Sequence, residues 1–299
     1  MNSKQNSSKY VISVVVAGIL WGLISIFVKS LTRLNANLFQ ILTMRAVLST
    51  IILFFFLLIK DKSLLKIKLK DIWMFVGTGI ISFTFFSLCY FFTILESGAS
   101  VAVVLLYTSP IFVLLISAVL FHEKITVQKM IALVLTFVGC VLTAGFLGST
   151  NAISVKGFII GLCGGLGYAL YSIFSRFALK KYDILTIIFY TFLFSAIILV
   201  PFVFLPFGNF ASLKNSISFE LVLSTLGIVI FGTVLPYLFY TFGLKGLETS
   251  RAAILVTIEP LIGTLLGLVA YQEPCSIEKI IGILLIFISL ILCGIQKKK

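Results

Sequence analysis

Charge is what this chain has least of. Only 11% of its residues are Asp, Glu, Lys or Arg, against 60% hydrophobic, and the mean hydropathy is +1.21. A water-soluble domain of 299 residues needs far more surface charge, so composition requires an integral membrane protein. Acids are scarcer still: ten against 23 bases, for a net charge of +13. That excess does not indicate nucleic acid, because the bases sit in short gaps between apolar runs and form no stripe or recognised motif. There is one histidine, His122, placed beside a loop, where it is a poor proton relay. The five cysteines, Cys89, Cys140, Cys163, Cys275 and Cys293, lie in or at the ends of apolar segments without a CxxC pair. They read as small packing residues, not as metal ligands or disulfides. No GxxxxGK[ST] loop is present, so ATP is not a direct energy source, and no HExxH, GxSxG or paired His/Cys spacing suggests an enzyme. No cofactor is expected.

What the chain has in abundance is apolar runs long enough to cross a bilayer, about 20 residues each. With that ruler the sequence predicts ten helices, near 11–30, 36–59, 71–93, 99–121, 126–146, 155–178, 183–206, 218–241, 250–271 and 276–296. The runs are continuously apolar, which argues against barrel strands. The first run spans and recurs in the second half, so it reads as a retained helix and not as a cleaved signal peptide.

The recurrence is internal duplication. Ser100-Val101-Ala102, Pro110 and Phe121-His122-Glu123 return 150 residues later as Ser250-Arg251-Ala252, Pro260 and Tyr271-Gln272-Glu273. Trp21 to Lys29 aligns at offset 147 with Tyr168 to Arg176. The expected organisation is a short N-terminus (1–10), a first five-helix repeat (11–146), a linker rich in Gly, Ser, Thr and Asn (147–154), a second repeat (155–296) and a basic C-terminus (297–299). Lysine and arginine are retained on the cytoplasmic side. With both termini inside, 17 bases are cytoplasmic and five are opposite, with Arg45 alone inside a span. Because five is odd, the two repeats insert in opposite orientation. Duplicated, inverted architecture is common among secondary transporters, whose substrate site lies at the repeat interface.

A few side chains stand out against this apolar background. Glu259 sits midway along the ninth helix, where an ionisable group costs about 2.5–3.5 kcal/mol to insert. It precedes Pro260, which removes a backbone donor and kinks the helix, and Pro110 occupies the matching place. Arg45 is the second intramembrane charge, either a partner of Glu259 or a lock that satisfies helix carbonyls. Trp21 pairs with Tyr168, and Tyr90 with Tyr240, across the repeat. These four rings are candidates to box a cation or stack on an aromatic solute, although packing alone also accounts for them. Gly18, Gly22, Gly165, Ala169, Gly263 and Gly267 read as sites of close helix approach. Glu123 and Glu273 are expected to cap or pin the next helix.

Ten helices in two repeats, Trp21-Gly22, Arg45, Pro110 with Glu123, and Glu259-Pro260 with Glu273 together resemble the EamA-type transporters of the drug/metabolite transporter superfamily, over roughly residues 11–296. The resemblance implies a bacterial inner-membrane carrier that exports or exchanges amino acids, amines or other small metabolites. It also implies a central cavity lined by helices 1, 3, 4, 6, 8 and 9. Choline transporters in that superfamily combine an aromatic box with a glutamate, which Trp21, Tyr90, Tyr168, Tyr240 and Glu259 could supply. This chain departs from them in having tyrosine at 168. The expected partners are a small-molecule substrate, the lipid bilayer, and a proton or counter-substrate. An acid among rings implies preference for neutral, zwitterionic or cationic solutes over phosphorylated ones. A membrane-embedded enzyme and a non-transporting scaffold are the rival readings; one lacks a catalytic cluster, the other a soluble domain.

Overall fold

The computed structural model describes residues 2–146, 154–205, 210, 218–272 and 276–294, with side chains from Ser8 onward. The 147–153 part of the linker, Glu273 and the basic C-terminus therefore lie outside the described residues. Among the described residues the chain is all helical. Nine helices are long and apolar enough to span: α1 (Ser8–Arg33), α2 (Leu38–Lys60), α3 (Leu69–Ser97), α4 (Ala99–Phe121), α6 (Val155–Ala178), α7 (Ile184–Phe204), α8 (Phe219–Gly246), α9 (Thr249–Ala270) and α10 (Ile277–Gly294). The tenth, α5 (Val127–Thr143), is apolar but shorter.

The sequence places the helices well and several ends poorly. α5 stops at Thr143, short of the expected 146, and α3 and α8 run on to Ser97 and Gly246. α3 turns directly into α4 at Gly98, whose φ of 90° suits a glycine. Both long helices contain a π-helical stretch, Gly77–Thr84 in α3 and Ile230–Val234 in α8. A threonine hydroxyl supports each one: Thr84 donates to the Gly79 carbonyl and Thr233 to that of Ile228, five residues back. Such widened turns are typical of functional places in helices. Nothing in hydropathy distinguishes them from ordinary helix.

α4 and α9 are each interrupted at mid-length. α4 breaks between Leu106 and Ser109, and α9 between Leu255 and Ile258. Pro110 and Pro260 follow the two breaks, because proline fits the first turn of a new helix and disrupts the interior of an old one. Glycines admit the broken segments. A Cβ at Gly18 would lie 2.7 Å from the Val256 carbonyl oxygen, and one at Gly165 would lie 2.7 Å from that of Leu105. The small residues of α1 and α6 thus accommodate the breaks in α9 and α4.

The repeats are interleaved. α1 packs along α8, α2 against α7, α3 along α6 and α5 along α10, so each helix meets a partner from the other repeat. Gly77 of α3 receives the Phe174 ring and Gly227 of α8 receives Phe27, two aromatic residues that are repeat mates. α5 and α10 approach at Gly139 and Gly282 and are joined by Thr136 and Ser289, whose hydroxyls lie 2.6 Å apart.

Candidate functional site

Where α1, α4, α6, α8 and α9 converge, the chain encloses a cavity of about 20 Å³ lined by Trp21, Ser109, Tyr168, Tyr171, Tyr237 and Tyr240 among others. That volume leaves room for little more than a water beside the rings. Trp21 is at the centre of the rings. Its centroid lies 6.4 Å from Tyr168, 5.6 Å from Tyr240 and 5.1 Å from Tyr237, while Tyr171 and Tyr237 are 4.8 Å apart and nearly perpendicular. Edge-to-face contact of this kind is favourable in itself and holds the rings in place.

Three of the four expected rings, Trp21, Tyr168 and Tyr240, meet here. Tyr90 does not line the cavity. It sits on α3 against α6, where Gly164 makes room for its backbone. Tyr171 and Tyr237 replace it, and both were readable as same-face neighbours, three residues after Tyr168 and three before Tyr240.

The hydroxyls are mostly engaged. Tyr240 pairs with Ser172 at 2.7 Å and Tyr171 with Thr241 at 2.8 Å, while Tyr168 donates to Glu259 Oε2 at 3.3 Å. Glu259 is half-buried behind the Tyr168 ring, in the first turn of the Ile258–Ala270 segment. A carboxylate is favoured at a helix N-terminus, so the break in α9 offsets part of its insertion cost. Ser109, at the matching place in α4, is 3% exposed and has no hydrogen-bond partner for its hydroxyl among the described residues.

Arg45 and Glu259 form no ion pair. The Arg45 guanidinium donates to the Thr233 hydroxyl at 2.8 Å and to the Gly232 carbonyl at 3.3 Å, and lies 5.2 Å from the Phe83 ring centre. It therefore braces the π-helical stretch of α8, outside the cavity lining. Ser195 occupies the matching position of α7 and bonds the other π-stretch threonine, Thr84, at 2.7 Å. One duplicated joint thus carries a charge in one copy and a hydroxyl in the other.

Glu123 reaches the next helix through Lys129 of α5 and also pins a more distant one. Its carboxylate accepts from the backbone N–H groups of Thr249 and Ser250 and from the Ser250 hydroxyl, capping α9 in the other repeat. Lys129 lies between Glu123, at 3.9 Å, and Glu248, at 2.8 Å. His122 and its repeat mate Gln272 both adopt left-handed backbone, with φ of 54° and 51°, where α4 and α9 end. Among the described residues no group of His, Cys, Asp and Glu is arranged for a metal, and Cys89, Cys140, Cys163 and Cys293 are free.

A broken-helix cavity between two copies of a five-helix unit defines a membrane carrier fold. The chain belongs to the EamA-like transporter family, which it matches twice, over residues 8–145 and 155–295. It is 28% identical over 273 residues to an uncharacterized transporter of Archaeoglobus fulgidus, covering 90% of each chain. It is 27% identical to the uncharacterized transporter YxxF of Bacillus subtilis, covering 100% of this chain and 93% of that one. The uncharacterized inner membrane transporter YicL of Salmonella typhimurium is 25% identical, with 98% of each chain covered. A crystal structure of a protein 17% identical superposes with a TM-score of 0.81 over 95% of this chain and 96% of its own, which shows a shared fold.

Proposed function

We propose that this transporter moves small amine-bearing metabolites, amino acids or related solutes, by alternating access around the Trp21 cavity, in export or exchange. The observation that carries the reading is the enclosure of Trp21, Tyr168, Tyr171, Tyr237 and Tyr240 next to the Glu259 carboxylate. The rings attract a cation through their faces, and the carboxylate repels anions in a medium of low dielectric. Ser109 supplies a free hydroxyl for a polar group on the solute. A proton or a counter-moving solute supplies the energy. The proposed location is a bacterial plasma membrane, and the distribution of lysine and arginine supports both termini being cytoplasmic.

The test is a thermal-shift screen of purified protein against amino acids, amines, nucleosides and sugar phosphates, followed by flux of each hit in proteoliposomes. Amino acids or amines are expected to raise the melting temperature and to compete for flux. Stronger competition by a sugar phosphate would overturn the reading.

A further inference from the structure

The densest charge in the chain is away from the cavity, in the segment joining α2 to α3. Lys60, Lys62, Lys66, Lys68 and Lys70 are all exposed, and none forms a salt bridge among the described residues. Eleven residues with five ammonium groups would ordinarily be a solvated, mobile loop. This one is built. It coils into two short 3-10 turns, Lys62–Leu65 and Leu69–Asp71, and is fastened to the other repeat. Thr186 and Tyr190 of α7 donate to the carbonyls of Leu64 and Leu65, at 2.7 and 2.6 Å. The Tyr182 hydroxyl receives the Lys68 N–H at 3.0 Å and donates to Asp71 at 2.8 Å, and Lys181 pairs with Asp71. Ile67 packs with Met74, Phe75 and Ile187.

The acids on this face are already engaged. Asp71 is held by Lys181 and Tyr182, Asp61 accepts from Ser63 and Asp183 caps the Leu185 N–H. Apart from Lys70, which also acts on Asp71, the lysines face outward without internal counterions. Apolar side chains flank them: Ile59 is 87% exposed, Leu69 85% and Trp73 46%, at the ends of two spans. Those positions put the three apolar groups at the hydrocarbon boundary and the lysines at headgroup depth, and Trp favours that boundary.

We propose that the Lys60–Lys70 platform binds the headgroups of anionic phospholipids. Its apolar flanks select a lipid over a soluble anion, because only a lipid brings a phosphate and acyl chains together. Juxtamembrane lysines gain several-fold in affinity apiece for an anionic bilayer, in a salt-dependent way. Since the platform is tied to α7 and to the α6–α7 turn, a bound headgroup also bridges elements of both repeats.

The test uses the full-length protein in a neutral detergent, titrated with phosphatidylglycerol, phosphatidylcholine or inorganic phosphate and followed by thermal unfolding. Phosphatidylglycerol is expected to stabilise at low salt and to lose most of that effect at high salt, whereas phosphatidylcholine and phosphate have little effect. Replacing Lys62, Lys66, Lys68 and Lys70 together by Gln is expected to weaken the phosphatidylglycerol response roughly tenfold or more, and replacing them by Arg to preserve it. If the Gln set does not fold, single Lys66→Gln and Lys68→Gln variants with the salt titration carry the comparison. Equal responses to the neutral and anionic lipids, equal responses to phosphate, or an unchanged response in the Gln variants would each overturn the proposal.

Discussion

Glu259 shows how a residue legible in the sequence acquires its meaning from a contact that was not. The cost of a mid-span carboxylate marks it from composition alone, but its connection to the cavity runs through the Tyr168 hydroxyl. If that link transmits solute binding, Glu259→Gln should leave a folded protein with flux lowered about tenfold, or with an altered response between about pH 5 and 8. Wild-type flux across that range would leave Glu259 a packing residue. Trp21 touches three of the other rings, so Trp21→Ala should impair solute-induced stabilisation more than Tyr90→Ala, because Tyr90 is off the cavity. Equal effects in the thermal-shift assay would argue that the cavity is not where solute binds. Of the rings paired by repeat offset, Trp21, Tyr168 and Tyr240 line the cavity and Tyr90 does not. The offset reports pseudo-equivalence, whereas cavity lining depends on which helix face turns inward, and that is what brings in Tyr171 and Tyr237. Arg45 exposes a further limit: its partner, the Gly232 carbonyl, lies in a π-turn that hydropathy does not register.

At the scale of elements, the ends of the broken helices are under specific control. Glu123 caps α9 across the repeat boundary. Burial alone would raise its pKa, but the hydrogen bonds from Ser250 and Thr249 outweigh it and hold the value below that of an ordinary glutamate. A carboxylate depressed on folding contributes stability that is complete above its unfolded value and is lost as pH falls through the folded one. The cap therefore persists at neutral pH and fails only in acid, below the range in which an ordinary glutamate titrates. Glu123→Gln should cost about 1–3 kcal/mol near pH 7, and the difference from wild type should shrink on acidification, as melting temperatures across pH would show. A constant difference would mean the charge is not what caps the helix. The glycine contacts are equally local. Phe174 and Phe27 fill the spaces left by Gly77 and Gly227, so Gly227→Leu is expected to separate α1 from α8 and lower folded yield, while Gly145→Leu, at a loop position with open space around it, should matter less and only through its φ of 66°. Small-residue spacing revealed Gly18, Gly22 and Gly165 in the sequence. It did not reveal Gly77 or Gly227, which have no small residue four positions away on either side.

For the whole molecule, duplication in sequence suggests two halves that rock against each other, yet the packing divides the molecule differently. α1 follows α8 and α3 follows α6 along much of their lengths, so a rigid motion of repeat against repeat would tear the most extensive helix contacts. Units mixed from both repeats, one around α1 and α8 and one around α3 and α6, can move with those contacts intact. The Glu123 contact to α9 ties a helix that packs on α6 to one that packs on α1, and it is the kind of junction such a motion must open. Two cross-links separate these alternatives. Cysteines at Ser13 and Phe239 would join α1 to α8, where the Ser13 hydroxyl already reaches the Phe239 carbonyl at 2.7 Å. Cysteines at Glu123 and Ser250 would join α4 to α9, with single Glu123→Cys and Ser250→Cys proteins as controls for loss of the cap. Bridged by a reducible thiol cross-linker, the first pair should retain most of its flux. The second should lose it and regain it on reduction. The reverse pattern would show that the two sequence repeats are themselves the moving bodies, and that the interleaved contacts slide.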